Sequence, residues 1–166
     1  MKRRLAREIA VQSLYQMEMN GVDAQAAVET VLTEAREENE IGANVEDVGA
    51  VDGFTRELVK GVTAHREEID RSLARYLTGW QVDRLSRVDR QILRLAAFEL
   101  AHRKEVPPKV VVNEAIELAK RFGTDESGKF VNGVLGRMLR ETGGGKPESA
   151  KDPKPEFETN GEEEPQ

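Results

Sequence analysis

The chain has 166 residues, with 25 Lys plus Arg, 31 Asp plus Glu, two His, no Cys and a formal net charge of −6. That length suits one domain or two small helical halves sharing a core. The missing cysteines exclude a disulfide framework, a thiolate metal site and a cysteine nucleophile, and the sequence isolation of His65 and His102 is read as excluding a histidine-rich metal site.

In the first segment, Ala6, Ile9, Ala10, Leu14 and Met17 fall on one helical stripe, and Asn20-Gly21 suits its stop. A second helix is predicted from Asp23 as N-cap through Ala27, Val28, Val31, Leu32 and Ala35. Residues 39–53, with Gly42, Gly49 and Gly53, read as a loop. The strongest pattern follows: Phe54, Leu58, Val62, His65, Ile69, Leu73, Tyr76 and Leu77 recur at spacings of mostly three or four. They predict one long helix or two broken near His65. Ser86-Arg87-Val88-Asp89 has capping-box spacing before Ile92, Leu95, Ala96 and Leu100. Pro107-Pro108 end one element and suit the first turn of the next, which carries Val112, Ala115, Ile116 and Ala119 and stops at Gly123. A last helix holds Phe130, Val134, Leu135, Met138 and Leu139.

No segment alternates like a strand, so the fold class is all-α, with six or seven helices. The folded body is expected over residues 1–142. The tail, 143–166, opens with three glycines, holds four of the six prolines and ends near Glu162-Glu163-Glu164, so it is expected to be disordered. No apolar run approaches the ~18–20 residues needed to span a bilayer. Arg7 and Glu8 interrupt the stretch that would follow Lys2-Arg3-Arg4 in a signal peptide. A cytoplasmic protein without membrane contact is expected.

Charge is segregated: residues 1–21 sum to +2, 22–70 to −9, 71–142 to +5 and 143–166 to −4. This permits a basic nucleic-acid surface on an acidic protein without requiring one. The string Gly123-Thr124-Asp125-Glu126-Ser127-Gly128-Lys129-Phe130 matches the phosphate loop GxxxxGK[ST] in all but its last position. Phe130 replaces the magnesium-holding hydroxyl, a helix precedes in place of a strand, and Asp125 and Glu126 repel phosphate, so nucleotide hydrolysis is set aside. Glu37, Glu38 and Glu40 read as a solvated helix end, His65 as a core histidine on its apolar stripe, and His102 as a helix C-terminal residue favoured by the dipole. No catalytic constellation, cofactor or metal is expected.

A binding reading does better. Lys2, Arg3, Arg4 and Arg7 crowd the start of the first helix, and at 100° per residue Arg4, Arg7 and Tyr15 share a flank. Guanidinium groups beside an aromatic ring supply phosphate neutralisation and a stacking platform for a single strand. A frayed basic N-terminus with Tyr15 packed at the core edge explains the same residues equally well.

Four strings, RRLAREIAVQSLYQ (3–16), DRQILRLAAFEL (89–100), VVVNEAIELAKRFG (110–123) and KFVNGVL (129–135), resemble in order and spacing the NusB family of transcription antitermination factors. The resemblance spans the predicted body and leaves the acidic tail unexplained. It implies two small helical bundles sharing a core, and RNA binding without catalysis. NusB proteins pair with NusE, a small-subunit ribosomal protein, to hold the single-stranded box A element of nascent ribosomal RNA. Their assembly on RNA polymerase suppresses premature termination. By the same resemblance the RNA-binding residues are Lys2, Arg3, Arg4 and Arg7 of the first helix, Tyr15 and Tyr76 beside it, and Phe122, Glu126 and Lys129. Asp89, near the helix start at Ser86, is the matched NusE contact. Leu5 interrupts the arginine run that some relatives continue. Asn113 and Asn132 are read as buried amides that cap or bridge helices. Some family members form homodimers that cover the RNA face, and this sequence is compatible with a monomer or a homodimer. Two alternatives stay open: a detached NusB-like domain of a ribosomal RNA cytosine methyltransferase, whose cofactor-binding α/β part is not expected after residue 142, and a helical protein–protein adaptor.

Overall fold

The computed structural model describes residues 3–38, 45–77, 79 and 81–142; Lys2 and the tail expected to be disordered lie outside them. Seven α-helices occur among the described residues: α1 (Arg3–Asn20), α2 (Ala24–Glu38), α3 (Val45–Ala64), α4 (Arg66–Ala74), α5 (Arg87–His102), α6 (Pro108–Phe122) and α7 (Ser127–Thr142). A short 3-10 turn, Val82–Arg84, precedes α5. No helix among the described residues is long and apolar enough to cross a membrane.

The helix boundaries follow local chemistry. Gly21 N–H reaches back to the Met17 carbonyl at 3.0 Å and closes α1. The Asp23 carboxylate then accepts the Ala26 N–H at 2.8 Å, capping α2 as its sequence predicts. Ser86 Oγ accepts the Asp89 N–H at 3.1 Å and starts α5. Pro108 opens α6, where its missing N–H leaves no helix bond unmade.

One expectation fails here: residues 45–53 are not loop but the first turns of α3. Val48 and Val51 are fully buried and extend the stripe of Phe54, Leu58 and Val62 backwards. Glu46 and Asp47 lie in the first turn, where the helix dipole favours them. Gly49 and Gly53 face open space and cost about 1 kcal/mol each as helix residues; burying each valine returns roughly 1.5–3 kcal/mol, so packing overrides propensity. The long periodic segment is two helices, α3 and α4, separated at His65.

Helices α1, α2 and α3 pack together as one bundle, and α4, α6 and α7 surround α5 in a second. Helix α5 also packs on α1 and α3, so its buried surface runs nearly all the way round, from Ile92 and Leu93 to Leu95, Ala96 and Phe98. The shared core is therefore this helix. Close approach of α3 to α5 depends on Gly61, where a Cβ would stand 2.1 Å from Phe98 Cζ.

Buried polar groups join the same elements. The guanidinium of Arg90 donates to the Val82, Asp83 and Leu85 carbonyls and to Glu18, fastening the 3-10 turn to the end of α1. Glu18 also accepts from Arg87 and Gln91. Burial pushes its carboxyl up, but the hydrogen bond and charge of Arg90, helped by Arg94 and Arg87, hold it below the ordinary range.

Candidate nucleic-acid interface

The basic start of α1 divides into three environments. Arg3 is exposed and lays its guanidinium over the Phe54 ring at 4.5 Å, with Arg103 on the same ring at 5.1 Å. Arg4 projects outward and forms a two-pronged ion pair with Glu114 of α6, at 2.9 and 2.8 Å. Arg7 turns inward. Its side chain is 4% exposed and donates twice to Glu99 of α5, both bonds at 2.8 Å.

Arg7 is thus not a surface group, contrary to its sequence reading. At 100° per residue Tyr15 and Glu8 stand about 20° and 40° from Arg4, whereas Arg7 stands about 60° to the other side, past Val11. Val11 is buried and Arg7 follows it into the core. The outer line of α1 is therefore the exposed Arg4 with the half-buried Glu8 and Tyr15.

That line faces α6 across a groove bridged by ions. Beside Arg4–Glu114, Arg121 of α6 approaches Glu8 at 3.5 Å, and Lys120 lies on the groove wall next to Glu117. A hydrogen bond from Arg4 lowers the Glu114 carboxyl against the opposing effect of burial. Glu8 is raised by burial, with Arg121 and Arg4 pulling the other way. Sequence reading missed Glu114, Lys120 and Arg121. The seven-residue step from Glu114 to Arg121 places both on one face of α6, but only the tertiary fold sets that face opposite α1.

Phe122 ends α6 half-buried, with the Arg121 guanidinium 5.5 Å from its ring centroid. Three amides of the turn beyond it are taken up by the helix ends. Gly123 N–H bonds to the Ala119 carbonyl, Thr124 N–H to Ser127 Oγ, and Ser127 N–H to the Thr124 carbonyl. A Cβ on Gly123 would lie 2.4 Å from Ser127 Oγ, so this glycine serves the α6–α7 junction. With a helix before it in place of a strand, and the Gly123, Thr124 and Ser127 amides bonded within the α6–α7 junction, the near-miss phosphate loop does not have the strand–loop–helix form of a phosphate cradle. Glu126 and Lys129 are exposed on this turn and the start of α7.

Other predicted residues are placed elsewhere. Tyr76 is 5% exposed in the turn after α4, and its carbonyl accepts from Arg137, so its ring is core and not a stacking platform. Asp89 is half-buried in the first turn of α5, and its Oδ1 is buried with no hydrogen-bond partner. Asn113 and Asn132 are exposed, not the buried amides expected. His65 and His102 are not isolated in space: their ring centroids stand 4.1 Å apart beside Glu68.

An all-helical, two-bundle protein whose exposed chemistry is an arginine-lined groove interleaved with carboxylates and flanked by aromatic rings is built to bind, not to turn over a substrate. The NusB family model matches residues 4–140, and the chain belongs to the NusB family. Its relatives are transcription antitermination proteins and not enzymes. The transcription antitermination protein NusB of Symbiobacterium thermophilum is 47% identical over 140 residues, covering 84% of this chain and 90% of that one. Its counterpart in Myxococcus xanthus is 48% identical over 136 residues, covering 82% and 93%. Among solved structures, T. maritima NusB superposes with a TM-score of 0.71 at 37% identity, covering 85% of this chain and 92% of that one. A chain from the crystal structure of antitermination factors NusB and NusE in complex with dsRNA gives 0.68 at 29% identity, covering 85% and 99%.

Proposed function

We propose that this protein binds box A RNA of nascent ribosomal transcripts together with NusE and, on RNA polymerase in the cytoplasm, suppresses premature termination. The observation that carries this reading is the α1–α6 groove, which Arg4, Lys120 and Arg121 line together, with Arg121 lying over the Phe122 ring. The NusB–NusE–dsRNA complex among the structural neighbours supports both partners.

Arg3, Arg4, Lys120, Arg121 and Lys129 neutralise phosphates, and Lys2 extends the same basic start. Tyr15 and Phe122 offer ring faces to unstacked bases, which favours a single strand over a duplex. Glu126 accepts hydrogen bonds from base amino groups or 2′-hydroxyls. Asp89, half-buried in the first turn of α5, is the proposed NusE contact. Residues 1–142 form the binding unit, so removing 143–166 leaves NusE binding unchanged.

The test is fluorescence anisotropy with single-stranded and duplex box A RNA, with and without NusE. Tighter binding of the single strand, strengthened by NusE, is expected, and by linkage RNA strengthens NusE binding by the same factor. RNA and NusE binding independently would refute the joint mechanism. Where a homodimer covers the face, RNA affinity falls as protein concentration rises.

A further inference from the structure

We infer that His65, Glu68 and His102 form a binding site for one divalent transition-metal ion of the zinc class, clipping the α3–α4 break to the end of α5. It lies apart from the α1–α6 groove and is independent of the RNA reading.

Two helical pairs bring the ligands together. Gly61 and His65 are one turn apart at the end of α3, and Phe98 and His102 one turn apart at the end of α5. Because Gly61 lets Phe98 close on α3, the next turn of each helix brings the two imidazole centroids to 4.1 Å, their planes tilted by 35°. Glu68, three residues past His65 in the first turn of α4, reaches the same point. One ligand atom from each of the three lies within 4.8 Å of the other two. Zinc bonds of about 2.0–2.1 Å in a tetrahedron set ligand atoms roughly 3.3 Å apart. His102 Nε2 and Glu68 Oε2 already stand at 3.5 Å, and both side chains are exposed enough to rotate inward.

His65 is prepared for the role. Its Nδ1 lies 3.0 Å from the Gly61 carbonyl, and a proton donated there leaves the Nε2 lone pair free. This backbone-oriented imidazole is the usual support of a metal-ligating histidine. Asp70, another carboxylate of α4, is committed to Arg94 by two bonds of 2.9 Å, and the three grouped residues leave a fourth position for water. Two neutral imidazoles and one carboxylate suit zinc, nickel or cobalt over calcium or magnesium, which prefer all-oxygen sets.

Zn2+ and Co2+ are titrated into the full chain by calorimetry and visible absorption, and the thermal midpoint is followed with and without Zn2+. One ion per chain, a tetrahedral Co2+ spectrum and a raised midpoint are expected. His102→Ala and Glu68→Gln, both at exposed positions, should keep the far-ultraviolet circular dichroism of the parent. Each should weaken binding about tenfold or more, since even supporting partners of metal ligands act on that scale. Equal affinity in folded His102→Ala, or an octahedral Co2+ spectrum unchanged by either substitution, would overturn the site and leave a stacked histidine pair with an ion-paired neighbour.

Discussion

Replacing Arg7 by alanine separates its buried position from the RNA-contact role its sequence suggests. The substitution removes two 2.8 Å hydrogen bonds and leaves the Glu99 carboxylate, 1% exposed, without the guanidinium that pairs with it. Breaking a buried pair from one side costs about 3–5 kcal/mol. A domain of this size holds only ~5–15 kcal/mol in total. With a urea slope of ~2 kcal/mol/M, a loss of ~4 kcal/mol moves the unfolding midpoint down by about 2 M. Equilibrium urea unfolding by circular dichroism reads this directly. The double variant Arg7→Met with Glu99→Leu removes both charges and keeps volume, so it should recover most of the loss, giving a large coupling in the mutant cycle. A stable Arg7→Ala protein whose RNA affinity and salt slope both fall would refute the reasoning and return Arg7 to the surface.

Arg3→Ala with Arg4→Ala should leave the fold nearly unchanged, because exposed ion pairs are worth ~0–1 kcal/mol. It should lower the logarithmic salt slope of single-stranded RNA binding by ~0.7 for each phosphate that is no longer neutralised, measured by anisotropy across a salt series. Glu18 has a lowered carboxyl in the folded protein, so it contributes stability above its unfolded pKa that is lost as pH falls through the folded value. Glu18→Gln should therefore be less stable than the parent at neutral pH and match it only below the ordinary carboxylate range, as followed by urea melts against pH. Gly61→Ala forces a methyl to within 2.1 Å of Phe98 Cζ and should cost ~1–3 kcal/mol, read as a lowered thermal midpoint.

Elements whose signals are local were legible in the sequence: the caps at Asp23 and Ser86, the stop at Gly123 and the apolar stripes of α1, α2, α5, α6 and α7 all lie where chain-order reading puts them. The start of α3 was not legible, because Gly49 and Gly53 announce a turn while the burial of Val48 and Val51 that overrules them is tertiary. The candidate face was half legible. Residue type marks Arg3 and Arg4, but nothing local distinguishes Arg4 from Arg7, one turn away; Glu99, distant in sequence, draws the latter inward. Likewise Glu8 and Glu114 look like ordinary helical carboxylates until α6 sets them in the groove. His65 and His102 look solitary until Gly61 lets their helices meet.

On the proposed RNA face, the fork between Arg4 and Glu114 bears on how one polyanion would be told from another. Glu114 takes the Nε and one Nη2 proton, which leaves three N–H groups of a guanidinium, its orientation set, directed to solvent. A ligand that docks there need not freeze a long flexible side chain first, so the entropic cost of ordering is met during folding. The carboxylate also subtracts charge, which weakens attraction for any anion arriving in the wrong orientation. If Arg4 contacts RNA as proposed, loose electrostatic adhesion is traded for geometry: a strand would gain there only when its phosphate meets the edge that Glu114 leaves exposed.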